Sequence, residues 1–187
     1  MAKGPKQVTA LLGRLASDEG VPALARKMIG VLASQLEELD SKLKAIEQRL
    51  LAWHRQGQTS QCLATIPGIG PIAGVSFALK VPDAKAFRSG RRFASWLGIT
   101  PREDSTAGRQ TLGRINRADD EDLRRLLVIG ATAVIRAAKP GRTAPWLLAL
   151  LARKSKKLAA VALATKMARI VWAMMVSGET YRQPAQA

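Results

Sequence analysis

Cysteine and histidine each occur once in this sequence, as Cys62 and His54. A single cysteine excludes an internal disulfide framework and any cysteine-based zinc site. A single histidine excludes His-rich metal sites and leaves only His54 for a Ser-His-Asp triad. No apolar run reaches the roughly 18 residues of a membrane span, and the N-terminal MAKGPKQVT lacks the apolar core of a secretory signal. We therefore expect neither a membrane partner nor secretion.

Acidic residues are also scarce, because the 187 residues contain 14 Asp+Glu against 30 Lys+Arg and carry a formal net charge of +16. An excess of this size favours a polyanionic partner, of which nucleic acid is the commonest. A basic ribosomal protein or a membrane-surface protein is the alternative. The hydrophobic fraction of 47% excludes a wholly disordered basic tail. The length fits one globular unit, or a small domain with an extended helix.

Residues 23–57 contain an unbroken heptad repeat, in which apolar residues alternate at spacings of three and four. These residues are Ile29, Leu32, Leu36, Leu39, Leu43, Ile46, Leu50 and Trp53. The pattern predicts a coiled-coil helix that ends near Gly57 and serves dimerisation or spacing; a long helix packed on its own domain is the alternative. Residues 1–22 are polar and punctuated by Gly and Pro, and we interpret them as a linker with one or two helical turns.

Residues 60–182 are predicted to form a compact helical domain, followed by a tail at 183–187. The expected elements are two helices around a Pro-Gly turn between Leu63 and Leu79, a short helix from Phe87 to Leu97, a helix from near Asp120 to about Ala138 with Asp119 as its cap, and one or two helices from Trp146 to about Val176. Residues 100–117 are expected to be a loop or a short irregular hairpin. The predicted fold class is mainly α, with a long N-terminal coiled-coil helix before a compact helical domain that includes a helix-hairpin-helix element.

The segment LATIPGIGP at residues 63–71 is similar to the hairpin of a helix-hairpin-helix module. Gly68 and Gly70 tolerate positive φ and leave the backbone bare. Backbone N–H groups at Gly68, Ile69, Gly70 and the start of the following helix could then bind a phosphate oxygen. Ile66 and Ile69 would pack the hairpin between its helices. An ordinary Pro-Gly helix turn is the alternative.

Two further segments are candidate phosphate-binding regions. From residue 126 onward there are ten basic residues and one acid, Glu179, and the cluster Arg153, Lys154, Lys156 and Lys157 lies among them. We interpret this bias as a phosphate-facing surface rather than a merely solvated helix face. The second segment surrounds Ser105 with Arg102, Arg109, Arg114 and Arg117. A serine can attack a phosphodiester where a positive site stabilises the developing charge, but from these residues alone a phosphate-contacting loop is the simpler interpretation.

Four motifs occur in order along the chain: IPGIGPIAG, FRSGRRFASWLGITP and PREDSTAGRQTLGRI, followed by LRRLL. This ordered set resembles the C-terminal half of the insertion-sequence one-ten family of transposases. The likeness extends from about residue 24 to about Arg182. The family's serine lies in a Pro-Arg-Glu-x-Ser-Ser-Gly-Gly-like segment, which here matches residues 101–108 and aligns with Ser105. Thr106 and Ala107 depart from that pattern, as does Asp119-Asp120, where the family has Gly-Asn.

The resemblance implies a DNA recombinase with a nucleophilic serine. In that family an N-terminal RuvC-like domain holds Mg²⁺ through four acidic residues, a bridge RNA guides the enzyme, and the enzyme works as an oligomer. Residues 1–22 contain only two acids, Asp18 and Glu19, so we expect no RuvC-like domain and no metal site in this chain. The resemblance also implies a cytoplasmic, nucleoid-associated protein.

Two functions therefore remain. In the first, the chain is the DNA-binding and serine-nucleophile half of a transposase, an enzyme only when the missing acidic domain is supplied. In the second, it is a catalytically incompetent truncated module for DNA binding and oligomerisation. A basic scaffold protein with no catalytic past is a third, less favoured reading of the same composition.

Overall fold

A computed structural model describes residues 5–103, 112–115, 120–141 and 143–181. The described residues form eight α-helices, one short 3₁₀ helix and two β-strands. In chain order they are α1 (Pro5–Ser17), α2 (Ala23–Gln56), α3 (Gln58–Leu63), α4 (Pro71–Lys80), the 3₁₀ helix (Ala84–Ala86), α5 (Gly90–Trp96), β1 (Pro101–Glu103), β2 (Leu112–Ile115), α6 (Glu121–Arg136), α7 (Pro145–Arg153) and α8 (Lys156–Ser177). The mainly α fold class is confirmed. The chain divides into two units between Arg49 and Leu50.

The first unit contains α1 and most of α2. The linker expected at residues 1–22 contains a helix of 13 residues, longer than the one or two turns predicted. Its apolar residues Val8, Leu11, Leu12 and Leu15 follow helical spacing. This pattern is short and lies between Gly and Pro residues, so it does not by itself indicate a helix of this length. Helix α2 has 34 residues, none of them buried. It ends at Gln56, directly before the predicted stop at Gly57.

Most heptad positions of α2 are open to solvent, while Ile29, Leu36 and Leu50 are half-buried. Leu43 is 64% exposed, and Leu32, Leu39 and Ile46 are also largely exposed. Two ion pairs on other positions, Lys42–Glu38 and Lys44–Asp40, span one helical turn each at 2.7 Å. The lysine–aspartate contact raises the pKa of Lys44 through its hydrogen bond to Asp40. The apolar stripe is thus unpaired within the part of the chain that the structure describes.

The second unit is built around α8. This helix packs against α3, the 3₁₀ helix, α5, α6 and α7, and four of its buried residues are alanines that permit close approach. An aromatic cluster lies on the α5 side, where the rings of Phe87 and Phe93 meet edge to face at 5.1 Å. The other main members of the core are leucines and isoleucines of α3, α6 and the segment 97–99.

Helix α8 is also long and apolar enough to cross a membrane by length and composition, which corrects the expectation that no such segment exists. Sequence reasoning missed it because Lys166 and Arg169 interrupt the apolar run. Of its most apolar window, 44% is buried inside the unit. A core helix of this kind passes the same test as a membrane span, and we interpret α8 as such a core helix.

Side-chain caps set the starts of three helices. Asp120, not Asp119, caps α6, because its carboxylate accepts a hydrogen bond from the Leu123 N–H at 2.9 Å; the helix begins at Glu121, close to the predicted start. Asp119 lies outside the described residues. Ser89 caps α5 through the Arg92 N–H at 3.3 Å, so the helix expected from Phe87 begins only at Gly90. Ser155 caps α8, and the last helical segment is a pair of helices, one of the two arrangements predicted.

Candidate nucleic-acid interface

The Pro-Gly turn between α3 and α4 is held mainly by apolar packing. Ile66 and Ile69 are both buried, as the sequence predicted. The Ile69 N–H donates to the Ile66 carbonyl at 2.9 Å. Both the side chain and the N–H of Ile69 are therefore already used, so this residue fixes the turn and is not itself free to bind a phosphate.

Gly68 brings the turn into direct backbone contact with α6. Its φ is +89°, a conformation that favours glycine. A Cβ at Gly68 would lie 2.8 Å from the carbonyl oxygen of Gly130, and a Cβ at Gly130 would lie 2.0 Å from the carbonyl oxygen of Gly68. Neither position has room for a side chain, so the two glycines fix the turn onto α6.

The N-terminus of α4 is the part of the turn that faces solvent. Gly70 is its N-cap and makes no side-chain hydrogen bond, and the first turn contains no acidic residue. Gly70 and Pro71 are exposed, and no atom lies within 4 Å of a Cβ built at Gly70. The first N–H groups of a helix have no intrahelical partner, so this end is compatible with an anion.

The basic cluster lies at the junction between α7 and α8. Arg153 ends α7, Ser155 is the cap, and Lys156 and Lys157 occupy the first turn of α8. The cluster is exposed throughout. Two lysines at the positive end of a helix dipole are unfavourable for the protein alone. A bound phosphate would relieve that repulsion.

The predicted nucleophile lies between two paired strands in sequence. Strands β1 and β2 are antiparallel, with Pro101 opposite Ile115 and Glu103 opposite Leu112, and the register is irregular between these pairs. The interpretation of residues 100–117 as a short irregular hairpin is consistent with these strands. Ser105 and Arg109 lie outside the described residues, as does Arg117. Arg102 and Arg114 are placed on adjacent strands by their backbone alone.

The start of the hairpin is anchored to the core. Ile99 is fully buried, and Arg124, only 8% exposed, donates from Nη1 to the Leu97 carbonyl at 3.1 Å. Sequence reasoning missed Arg124. The available signal was its spacing, since Leu127 and Ala131 follow it at helical intervals on the buried face of α6. A charged residue on such a face predicts a specific partner.

The carboxylates near α6 have structural partners. Lys80 at the end of α4 pairs with Asp120 at 3.1 Å and with Asp122 at 2.7 Å. The Lys80 hydrogen bond lowers the pKa of Asp122, and the same contact raises the pKa of Lys80. Among the described residues, no group of three or more His, Cys, Asp and Glu could hold a metal ion. Asp120 and Asp122 therefore join α4 to α6, and no reaction step is assigned to a metal on this part of the chain.

These features define a basic helical unit with an exposed helix N-terminus, an exposed cationic junction and an arginine-bearing hairpin. A sequence profile described as "Transposase IS116/IS110/IS902 family" matches residues 60–146. The chain is 46% identical to "Putative transposase y4pF/y4sB" of Sinorhizobium fredii over 97% of its own length and 48% of the relative's. It is 39% identical to "Probable family 20 transposase" of Pseudomonas aeruginosa, over 96% of its own length and 54% of the relative's.

A third relative, "Transposase for insertion sequence element IS1111A" of Coxiella burnetii, is 31% identical over 97% of this chain and 51% of its own length. The chain thus spans about half the length of the curated relatives it matches. Residues 60–146 thus match the IS116/IS110/IS902 family of transposases, and nearly the whole chain is similar to part of proteins named transposases. This is the insertion-sequence one-ten family that the motifs of the chain resemble.

Proposed function

We propose that this chain is the DNA-binding, serine-bearing half of an insertion-sequence transposase. The observation that carries the proposal is the extent of the likeness, because nearly the whole chain aligns with about half of proteins named transposases. The remaining half of those relatives would supply the acidic residues and Mg²⁺, either on another chain or on a further segment. The partners are then DNA and a guide RNA, and the location is cytoplasmic and nucleoid-associated.

The proposed chemistry at Ser105 is a transesterification. The serine Oγ forms an ester bond to phosphorus while the bond from phosphorus to the leaving strand oxygen breaks. The serine hydroxyl loses its proton, and the leaving strand end takes up one proton as a hydroxyl. One phosphodiester replaces another, so the step needs no oxidant or external energy. Arg102, Arg109, Arg114 and Arg117 would hold the phosphate oxygens, since guanidinium groups bind phosphate in a bidentate manner.

The surfaces that would hold the DNA are the α4 N-terminus and the basic junction. Gly70, Pro71 and Ile72 are exposed at the start of α4, where Gly70 and Ile72 carry backbone N–H groups and Pro71 does not. The basic side chains of the junction, Arg153, Lys154, Lys156 and Lys157, are exposed as well. These groups contact backbone phosphates rather than bases. They would position the chain on DNA, while sequence would be read by other means, for which pairing with a guide RNA is the proposed source.

Replacing Lys156 and Lys157 together by glutamine is expected to weaken duplex DNA binding strongly without loss of stability. Each phosphate contact contributes about 0.9 to the slope of log K against log salt on B-DNA, so the slope should fall by about 1.8. The folded chain should be at least as stable, because two cations leave the positive end of α8. Fluorescence anisotropy with a labelled duplex across a salt series measures the first effect, and thermal melting measures the second.

The matched control removes two cations from exposed positions on α2, with Lys27→Gln and Arg49→Gln. This variant has the same net charge and should retain nearly the full salt slope. An equal fall in both variants would assign the binding to overall charge and contradict the role of the junction. No duplex binding by the unmodified chain at low salt would contradict the proposed function itself.

The exposed stripe of α2 and the exposed basic junction would equally serve a second candidate, a catalytically incompetent DNA-binding and oligomerisation module. Such a product could inhibit a complete transposase by forming mixed oligomers. The two candidates share the same DNA contacts and differ only at Ser105. A Ser105-dependent covalent adduct with DNA separates them.

We also propose that the stripe on α2 pairs with a second copy of this chain. The stripe follows a coiled-coil period, and three of its five leucines, Leu32, Leu39 and Leu43, are exposed. Two adjacent heptad positions on each of two helices bring about four such side chains into the dimer. Burying each side chain would contribute roughly 1.5 to 3 kcal/mol to the free energy of association. The oligomeric enzyme that the family resemblance implies would use this helix as its dimerisation element.

The double substitution Leu39→Glu and Leu43→Glu is expected to weaken self-association at least about a hundredfold. Sedimentation velocity over a concentration series measures the dissociation constant. The control is Ser34→Glu with Ser41→Glu, which adds the same charge at exposed positions opposite the stripe and should leave association nearly unchanged. A monomer at all concentrations for the unmodified chain would contradict the proposal.

A further inference from the structure

A groove of about 740 Å³ opens between the start of α5, the start of α7 and the middle of α8. Nothing in the proposed transposase function uses it. Its volume lies within the range of small-molecule sites, roughly 300 to 1,000 Å³. The residues that matter for its chemistry are Arg91, Trp146, Lys166, Arg169 and Trp172.

The charge of the groove has one sign. Arg91, Lys166 and Arg169 line it, and its described lining includes no Asp or Glu. Lys166 and Arg169 are exposed on α8, one helical turn apart. A concave site with three cations and no carboxylate attracts anions. Its charge would also admit an acidic side chain, which only the size of the groove could exclude.

The groove also presents aromatic surface. Trp146 is 36% exposed, and the Lys166 ammonium lies over one face of its ring, 4.3 Å from the centroid. A base that stacks on this face would displace the exposed Lys166 side chain from the ring, which frees its charge for the phosphate of the same nucleotide. Trp172 is fixed, because its Nε1–H donates to the Ala84 carbonyl at 3.0 Å. A Cβ built at Gly90 would lie 3.1 Å from the Trp172 ring, so the wall is closely packed and the cleft is preformed.

We propose that this groove binds an unpaired nucleotide of a single nucleic-acid strand, with its base on Trp146 and its phosphate on Lys166 and Arg169. The combination of an exposed indole with cations favours a nucleotide over other anions. Free phosphate would use the cations but not the exposed indole, and duplex DNA keeps its bases inside the helix. An unpaired base has a free π-face for stacking, and its phosphate carries the matching charge. The inference rests on the proposed function, because strand exchange produces unpaired strands.

The test compares single-strand and duplex binding by the full chain. Trp146→Ala is expected to weaken binding of labelled oligo(dT) or oligo(U) about tenfold, since one stacked base is lost, and to leave duplex binding within twofold. Trp146→Phe retains an aromatic face and should stay within about threefold of the unmodified chain. Thermal melting of both variants separates a loss of fold from a loss of stacking.

A second part of the test removes two cations of the groove, with Lys166→Gln and Arg169→Gln. The salt slope for the single strand should fall by about 1.4, at about 0.7 per phosphate contact on a single strand. The control is again Lys27→Gln with Arg49→Gln, which removes the same charge from α2 and should leave that slope unchanged. Tighter binding of oligo(dT) would identify DNA as the source of the nucleotide, and tighter binding of oligo(U) would identify the guide RNA.

Three results would overturn the inference: Trp146→Ala that leaves single-strand binding unchanged, Trp146→Phe that is as weak as Trp146→Ala while fully folded, or equal falls in the groove and control charge variants. A fourth such result would be an unmodified chain that binds a phosphopeptide and not an oligonucleotide. These failures are distinct from failure of the proposed function, which would appear as no duplex binding by the unmodified chain.

Discussion

Gly130→Ala is expected to destabilise the second unit by about 3 kcal/mol or more, among the largest effects of any single methyl group here. The added Cβ would lie 2.0 Å from the Gly68 carbonyl oxygen and 2.9 Å from its carbon. Both are backbone atoms, which cannot move aside as the end of a flexible side chain can. The turn would have to separate from α6, which would expose Ile66 and Ile69 to water.

Gly70→Ala is the matched control for that experiment. It lies two residues from Gly68 in the same turn, but a Cβ there meets no atom within 4 Å. Its φ of −88° suits any residue, so only the small difference between Gly and Ala at an N-cap remains. Urea unfolding followed by tryptophan fluorescence gives both values. Equal stability of the two variants would contradict the close backbone contact.

Ser105→Ala is expected to abolish recombination by this chain, with a loss of roughly a thousandfold or more because the nucleophile is absent. The assay supplies the acidic domain through a full-length relative whose own aligned serine is replaced by alanine. Product then depends on Ser105 alone. Recombination that survives this substitution would remove Ser105 from the chemistry.

Thr106→Ala is the control for the same segment. It removes the neighbouring hydroxyl group, which does not align with the family's nucleophile, and leaves the flanking arginines in place. We expect activity within a few-fold of the unmodified chain. If instead Thr106→Ala were inactive and Ser105→Ala active, the alignment of the nucleophile would be wrong by one residue.

The elements that sequence patterns predicted well depend on local signals. The heptad spacing located α2, and Gly57 marked its end. The Pro-Gly turn between α3 and α4 was predicted from Pro67 and the glycines around it. Caps were less certain, because Asp119 and Asp120 are equally good candidates on local grounds. Only the hydrogen bond from the Leu123 N–H distinguishes them.

The contacts that sequence could not predict are long-range. Gly68 and Gly130 are far apart in the chain, and nothing local marks them as partners. The same holds for Trp146 and Lys166, which come together only because α7 folds back on α8. Arg124 looks like Arg125 beside it until the buried face of α6 is known. Such features follow from tertiary packing and not from period or propensity.

Covalent capture tests most directly whether Ser105 is the nucleophile. The chain is incubated with Mg²⁺, guide RNA and the serine-lacking relative on a labelled, nicked suicide DNA substrate, and the products are separated on a denaturing gel. We predict a labelled adduct whose size is that of this 20.1 kDa chain plus the attached DNA strand, and Ser105→Ala should eliminate it. An adduct that persists in Ser105→Ala would contradict a nucleophilic Ser105. The absence of any adduct from an unmodified chain that binds the same DNA on a native gel would contradict it as well.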